Sequence, residues 1–319
     1  MIGVKRFRGD GFQNRYRISG TLTTLSPLHI GTGEERPGDD KKKTKGNGDP
    51  SLVSTVIKDF QGKPVIPGSA LRGVMRHWLL SVLAGVNSDW AADRNYENKA
   101  FSVLDQKAQL EMVKDEFSWL ELLFGTPFHA GKIEVWDAAC ETKTLTLQPP
   151  DDLLTWNPAS LTYIDTSVAI DPVTGTALEH LLYNSEVVAP GVVFSFNLVG
   201  QNLGDEELGM ILLALQGFNS AIYPIQVGAR TGRGYGRVVF EPGPIYCLDT
   251  GSVETWVSDT LRGFRSYRLS SKDKVQAEPE AGYFNLPVLG EEEQAALVER
   301  AKAALIDGMK PAVTNSVGG

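Results

Sequence analysis

The 319-residue chain is 42% hydrophobic and 22% charged, the composition of an ordinary globular protein, and no apolar run approaches the ~20 residues that a membrane-spanning helix needs. Its two cysteines, Cys140 and Cys247, have no CxxC spacing, and His29, His77, His129 and His180 form no HExxH or i, i+4 pair; this argues against a disulfide framework and a structural zinc site. The net charge of −8 hides an asymmetry: residues 1–100 hold 16 Lys and Arg against 10 Asp and Glu, a net of +6, which leaves −14 for residues 101–319. The basic portion suits phosphate contact and the acidic remainder suits a surface facing other proteins. The N-terminus has charge but no apolar stretch after it, so the expected compartment is the cytoplasm.

In chain order, residues 15–25 alternate, with Tyr16, Ile18 and Leu22 on one face and Arg17, Ser19, Thr21 and Thr23 on the other, which predicts a half-buried strand. Glu34 to Pro50 carries charges and glycines and almost nothing apolar, and reads as a long, mobile loop. Val53–Ile57 predicts a short strand and Asp59–Pro64 a turn, in which Asp59 is expected to accept turn N–H bonds. Ser69 is a natural N-cap for a helix whose apolar face is Leu71, Val74, Met75, Trp78, Leu79 and Val82, with Arg72 and Arg76 on the opposite side.

Residues 85–130 read as an irregular helical insertion. Lys132–Val135 and Leu161–Ile170 read as strands, Asp171–Gly175 as a turn and Glu186–Val199 as one long strand. The last two strands flank a segment expected to protrude as a hairpin. Leu208, Ile211, Leu212 and Leu215 mark a second amphipathic helix, and residues 222–240 return as strand, Gly-rich turn, strand. This order matches the β-α-β-β-α-β ferredoxin-like arrangement with insertions, an α+β fold. Residues 291–306 form an acidic-start amphipathic helix, and the final PAVTNSVGG reads as disordered.

The strongest local signal is GARTGRGYGR over 228–237. Gly228, Gly232, Gly234 and Gly236 let backbone N–H groups approach phosphates. Arg230, Arg233 and Arg237 supply forked donors, and Tyr235 can stack on a base or ribose. The alternative is a Gly-rich strand turn with solvated arginines. The segment lacks the GxxxxGK[ST] pattern of a nucleotide-hydrolysing loop. A second, weaker signal is Gly68-Ser69 opening a helix that carries Arg72 and Arg76, since a helix N-terminus has unpaired N–H groups.

PLHIGTG (27–33), VIKDFQGKPVIPGSALRGVMR (56–76), LFGTPFHAGKIEVWDA (123–138) and VGARTGRGYGRV (227–238) together resemble the successive blocks of the RAMP superfamily. More closely, they are similar to the Cas-seven-type backbone subunits of type III CRISPR effector complexes. The resemblance runs from about residue 15 to 240. It implies a ferredoxin-like (RRM-like) palm with insertions over residues 1–250: a loop at 33–50, a helical insertion at 85–130 and a protruding thumb hairpin at 166–188. Residues 251–319 are then a C-terminal extension.

By the same resemblance, His29, Gly31, Gly33, Gly68, Ser69, Arg72, Arg76, Arg230, Thr231, Gly232, Arg233, Gly234 and Tyr235 would contact guide RNA. The thumb would kink that RNA. The expected partners are guide RNA, target RNA and other CRISPR effector subunits, with no membrane. Subunits of this kind often cut target RNA with an aspartate in the loop after the first strand. Here the spacing falls near Val53, and the nearest acids are Asp49, Asp40 and Asp39, which could orient a 2′-hydroxyl or hold Mg²⁺ or another divalent cation. The loop lysines Lys41, Lys42, Lys43 and Lys45 could attract RNA or simply solubilise it. Three readings follow: a guide-binding subunit that also cleaves target RNA, a non-catalytic RNA-binding scaffold, and a RAMP-type endoribonuclease that processes CRISPR transcripts.

Overall fold

Residues 8, 11–37, 52–91, 105, 107–108, 111, 117–126, 129–145, 155–170, 173–250 and 289–309 are described by a computed structural model. They form a mixed α+β fold built on two four-stranded sheets. The strands are β1 (Asn14–Thr24), β2 (Gly31–Pro37), β3 (Leu52–Val56), β4 (Val65–Ile66), β5 (Ile133–Val135), β6 (Ala138–Ala139), β7 (Thr162–Ile170), β8 (Ala177–Val188), β9 (Val193–Gln201) and β10 (Val238–Asp249). The helices are α1 (Gly68–Ala84), α2 (Ser88–Ala91), α3 (Trp119–Phe124), α4 (Asp205–Gly217) and α5 (Glu291–Met309).

The first sheet has the order β10-β1-β9-β5, and every neighbouring pair is antiparallel. In the chain, α1 lies between β1 and β5, and α4 lies between β9 and β10. The period-2 pattern of β1 decides which face is covered: Tyr16, Ile18 and Leu22 are 6%, 2% and 0% exposed. They join Phe194, Phe196 and Leu198 of β9 and Leu71, Met75 and Leu79 of α1 in one core, where burial of apolar area is the main stabilising term. Arg17 on the other face lies 5.2 Å from the Trp136 ring and donates to Asn197 Oδ1.

The second sheet, β2-β3-β8-β7, corrects two expectations. The segment from Glu34 onward does not start as a loop: Gly31–Pro37 is a strand, with Glu35, Arg36 and Pro37 paired to Ser54, Val53 and Leu52. Glycines and charges are tolerated there because an edge strand faces water. Nor is 186–199 one strand. Pro190 and Gly191 break it, with Gly191 at φ +86°, so β8 pairs with β7 in one sheet and β9 with β1 in the other. Residues 222–226 do not form a strand either; only the bridge from Gln226 to Arg237 is present. Strands β7 and β8 pair antiparallel as a hairpin, from Thr162 opposite Val188 to Ile170 opposite Ala177.

Glu186 fastens the second sheet. Its carboxylate accepts from the Lys58 ammonium, the Thr162 hydroxyl and the Val56 N–H. Burial alone would raise its pKa, but those three donors outweigh it and hold the carboxyl below its ordinary value of 4.5. The folded pKa is depressed, so the contribution is full above pH 4.5 and fades as pH falls through the lower folded value. Glu186→Gln is expected to cost about 1–3 kcal/mol in urea denaturation at neutral pH. The gap to wild type should close on acidification below pH 4.5, and a pH-independent gap would refute the assignment.

Beyond the sheets, Asp59 accepts from the N–H groups of Gln61 and Lys63, as the turn requires. Helix α5 packs on α4: a Cβ on Gly209 would come within 2.6 Å of the Ala301 carbonyl oxygen, and Arg300 Nε meets Asp205 Oδ2 at 2.9 Å. The helix expected at 291–306 is therefore part of this fold. Residues 251–288 and 310–319 lie outside the described residues, as does most of the insertion between α2 and α3. Among the described residues, no helix is long and apolar enough to cross a membrane.

Candidate nucleic-acid interface

The four motif blocks are stitched together by main chain. Ile57 N–H donates to the Ile30 carbonyl and Val65 N–H donates to the Ile57 carbonyl, which brings the approach to α1 beside PLHIGTG. The glycine-rich segment is fixed at both ends to the same place: Ala229 N–H donates to His29 O at 2.8 Å, and Gly236 N–H donates to Pro27 O at 2.9 Å. Two glycines make this possible. Gly228 (φ +83°) and Gly236 (φ +75°) have left-handed backbones, and a Cβ on either would fall on the carbonyl oxygen of His29 or Val227. Between them Thr231–Arg233 forms one 3-10 turn, entered and left through left-handed Arg230 and Gly234.

The tip of this loop is open. Nothing stands within 4 Å of a Cβ built on Gly232 or Gly234, and Arg233 and Arg237 are exposed. Two exposed arginines therefore flank an open glycine tip, and a guanidinium group is a forked donor suited to a phosphate ligand. Tyr235 is turned inward instead: its hydroxyl donates to Asp165 Oδ2 at the base of the hairpin. Burial, helped by the Asp165 carboxylate, pushes the phenol up to about 12. The loop is thus tied to the hairpin as well as to residues 27–29.

The helix end differs from expectation. Pro67, not Ser69, is the N-cap, and there is no side-chain cap. The chain enters at Pro67, whose carbonyl already accepts from Ala70 and Leu71, while the Gly68 N–H donates to Asp137 Oδ1 at 2.8 Å. Asp137 therefore supplies the anion that this terminus attracts. Gly68 is buried under Val135, Ser69 is exposed and Arg76 is half-buried. Arg72 lies 5.9 Å from the Phe124 ring and donates to the Phe124 carbonyl, at the C-terminal end of α3.

His29 is 5% exposed. Its Nδ1 faces the Glu186 carbonyl at 2.7 Å and its Nε2 faces Ser54 Oγ at 3.3 Å. Gly31 and Gly33 follow at the start of β2. Asp39, Asp40 and Asp49 lie outside the described residues, as do Lys41, Lys42, Lys43 and Lys45. Among the described residues, no group of three or more His, Cys, Asp or Glu could hold a metal ion.

Residues missed by sequence reasoning cluster at the hairpin base. Pairing sets Glu35 beside Ser54, Ser54 beside Ser185 and Ser185 beside Asp165, one row across all four strands. Paired residues point to one face of a sheet. The period-2 patterns of β3 and β7 carried the facing of Ser54 and Asp165; β2 and the first part of β8 were not read as strands, and the order of the strands, which makes it a row, was not in the sequence.

A family model for the RAMP superfamily matches residues 21–239. The CRISPR system Cmr subunit Cmr6 of Pyrococcus furiosus is 27% identical over 244 residues, which cover 67% of this chain and 69% of that relative. The matched stretch runs from within β1 into β10 and includes all four motif blocks, and the chain belongs to the RAMP superfamily.

Proposed function

We propose that the chain is a type III CRISPR effector subunit that grips guide RNA between the glycine-rich loop and the β7–β8 hairpin. The carrying observation is the loop itself: an open, arginine-bearing tip on ends fixed to residues 27–29, with Tyr235 bonded to the hairpin base. Family membership and similarity to a Cmr subunit support the setting. The β10-β1-β9-β5 order, with α1 in the crossover from β1 to β5 and α4 in that from β9 to β10, supports a ferredoxin-like, RRM-like palm spanning residues 1–250. The hairpin within 166–188 then serves as the thumb, and residues 251–319 as an extension that docks α5 on the palm. Neighbouring effector subunits and target RNA are the further partners.

Target cleavage is the second reading. Pro37 pairs with Leu52, the stretch 38–51 joins β2 to β3 in the chain, and β3 adjoins the hairpin strand β8. That connection supports Asp49, Asp40 or Asp39 as the acid beside a bent target strand, with Mg²⁺ as the cation they would hold. The buried, doubly bonded His29 speaks against an acid–base processing enzyme.

The test pairs binding with cleavage. Arg233→Ala/Arg237→Ala should weaken RNA binding at least about tenfold near 0.1 M salt, and flatten the log–log salt dependence by ~0.7 per lost phosphate contact. Unchanged affinity and slope would refute the grip. In the assembled complex with Mg²⁺, loss of one defined cut in Asp49→Ala or Asp39→Ala/Asp40→Ala, with guide still bound, would make this a slicing subunit. An unchanged cleavage ladder would leave it a scaffold.

A further inference from the structure

The polar row at the hairpin base lies next to the arginine loop, yet its half-buried members, Ser54 and Asp165, offer acceptors. Asp165 is a half-buried carboxylate, an acceptor-only group, and the Tyr235 hydroxyl occupies one of its several lone-pair positions. Ser54 is oriented by His29. The Glu186 carbonyl can only accept, so His29 Nδ1 carries the proton; in the neutral ring Nε2 then accepts from Ser54. The Ser54 proton is drawn inward, which leaves its oxygen lone pairs for a donor from outside. Between Ser54 and Asp165 stands Ser185, 0% exposed, whose Oγ has no partner among the described residues. Arg230, held at φ +63°, lies within electrostatic reach of Tyr235, and one of its Nη atoms is likewise buried without a partner among the described residues.

A phosphate brings no donor to such a row, and deoxyribose brings none either. The ribose 2′-hydroxyl is both donor and acceptor. We propose that Ser54 and Asp165, which flank the buried Ser185, read the 2′-hydroxyl of the nucleotide whose phosphate lies on the Arg230–Gly234 loop. Resting on the RNA-binding reading above, this makes the hairpin base the place where the subunit tells RNA from DNA. A carboxylate beside a phosphate grip opposes any backbone that cannot donate to it, so the site rejects DNA as well as accepting RNA.

The experiment uses the full chain with a labelled uridine oligomer and a 2′-deoxyuridine oligomer of equal length, which differ only in the sugar. Wild type is expected to bind the ribose oligomer about tenfold more tightly, or better, as a hydrogen bond to a charged acceptor allows. Ser54→Ala and Asp165→Asn should each narrow that ratio toward one while the ribose oligomer still binds. Arg233→Ala should weaken both oligomers and leave the ratio alone. Equal wild-type affinity for the two sugars, or a ratio unmoved in both Ser54→Ala and Asp165→Asn, overturns the proposal and leaves the grip standing. Failure of wild type to bind either oligomer overturns the RNA-binding reading and this inference with it. Ser54→Ala removes one half-buried hydroxyl from near an edge strand, so it tests the site even if Asp165→Asn loosens the hairpin.

Discussion

Removing either half of the Lys132–Glu207 pair is expected to destabilise the fold by about 3–5 kcal/mol. Both side chains are fully buried, and Nζ and Oε2 are 2.7 Å apart. Burial pushes the Glu207 carboxyl up, with the Lys132 ammonium acting against it. The pair sits at a junction. The Lys132 N–H donates to the carbonyls of Leu122 and Leu123 at the end of α3, and the Gln201 N–H of β9 donates to the Lys132 carbonyl. Glu207 also accepts from the Gly204 N–H at the start of α4. Lys132→Met leaves a buried carboxylate without its cation, and Glu207→Gln leaves a buried ammonium without its anion. The double change Lys132→Met/Glu207→Leu removes both charges and should recover most of the loss, because desolvation of the pair offsets much of its attraction. Urea midpoints of the four proteins give the answer. Single variants within about 1 kcal/mol of wild type would mean that the junction is held by packing alone.

That pair marks the boundary of what the sequence reveals. Strand β1 and helices α1 and α4 were legible because each has one apolar face at its own period, and the faces at Tyr16, Leu71 and Leu208 are those buried in the core. Lys132 was visible only as the start of a strand. Its anion lies 75 positions on, and the crossing that brings them together is a property of the sheet order. The same limit hid Asp137 as the partner of the helix entrance: Ser69 has the chemistry of a cap, but Pro67 already sets the entry geometry and Asp137 arrives from beyond β5. The split at Pro190 and Gly191 was legible in principle, since proline cannot donate to a ladder and glycine takes the left-handed turn; the apolar residues on both sides masked it.

The interface was legible as motifs and illegible as an arrangement. Glycines and arginines at 228–237 announced an open backbone with phosphate donors; the tip at Gly232 to Gly234 is open, and its Arg233 and Gly234 N–H groups close the turn. Tyr235, read as a base-stacking ring, has its hydroxyl fastening the loop to Asp165 through a long-range bond. His29, read as an RNA contact, is a buried strut whose ring orders Ser54. In both cases residue type was informative about chemistry, while the direction of the side chain depended on a sheet that no local pattern encodes.

The loop's glycines make the sharpest contrast available for testing the grip. Gly236→Ala should reduce RNA affinity by at least about tenfold, and by more than Gly232→Ala, which keeps both ends of the loop fixed. Gly236 is buried, its φ of +75° is costly for an L side chain, and a Cβ there falls on the Val227 carbonyl oxygen, so the main chain itself must move. Any such movement pulls on the Gly236–Pro27 hydrogen bond and, one residue back, on the Tyr235–Asp165 contact. The loop would then lose its fixed exit and its tie to the hairpin together, and the arginines their fixed backbone. Gly232 has neither constraint: its φ is not left-handed and its Cβ would enter open space. The circular dichroism of both variants should match wild type, because the segment contributes one 3-10 turn and no strand. Equal affinities for the two variants would mean that the arginines act as unplaced charges and that the fixed ends of the loop are irrelevant to binding. A large loss in Gly232→Ala would instead place RNA backbone against that residue, closer than the arginine contacts alone require.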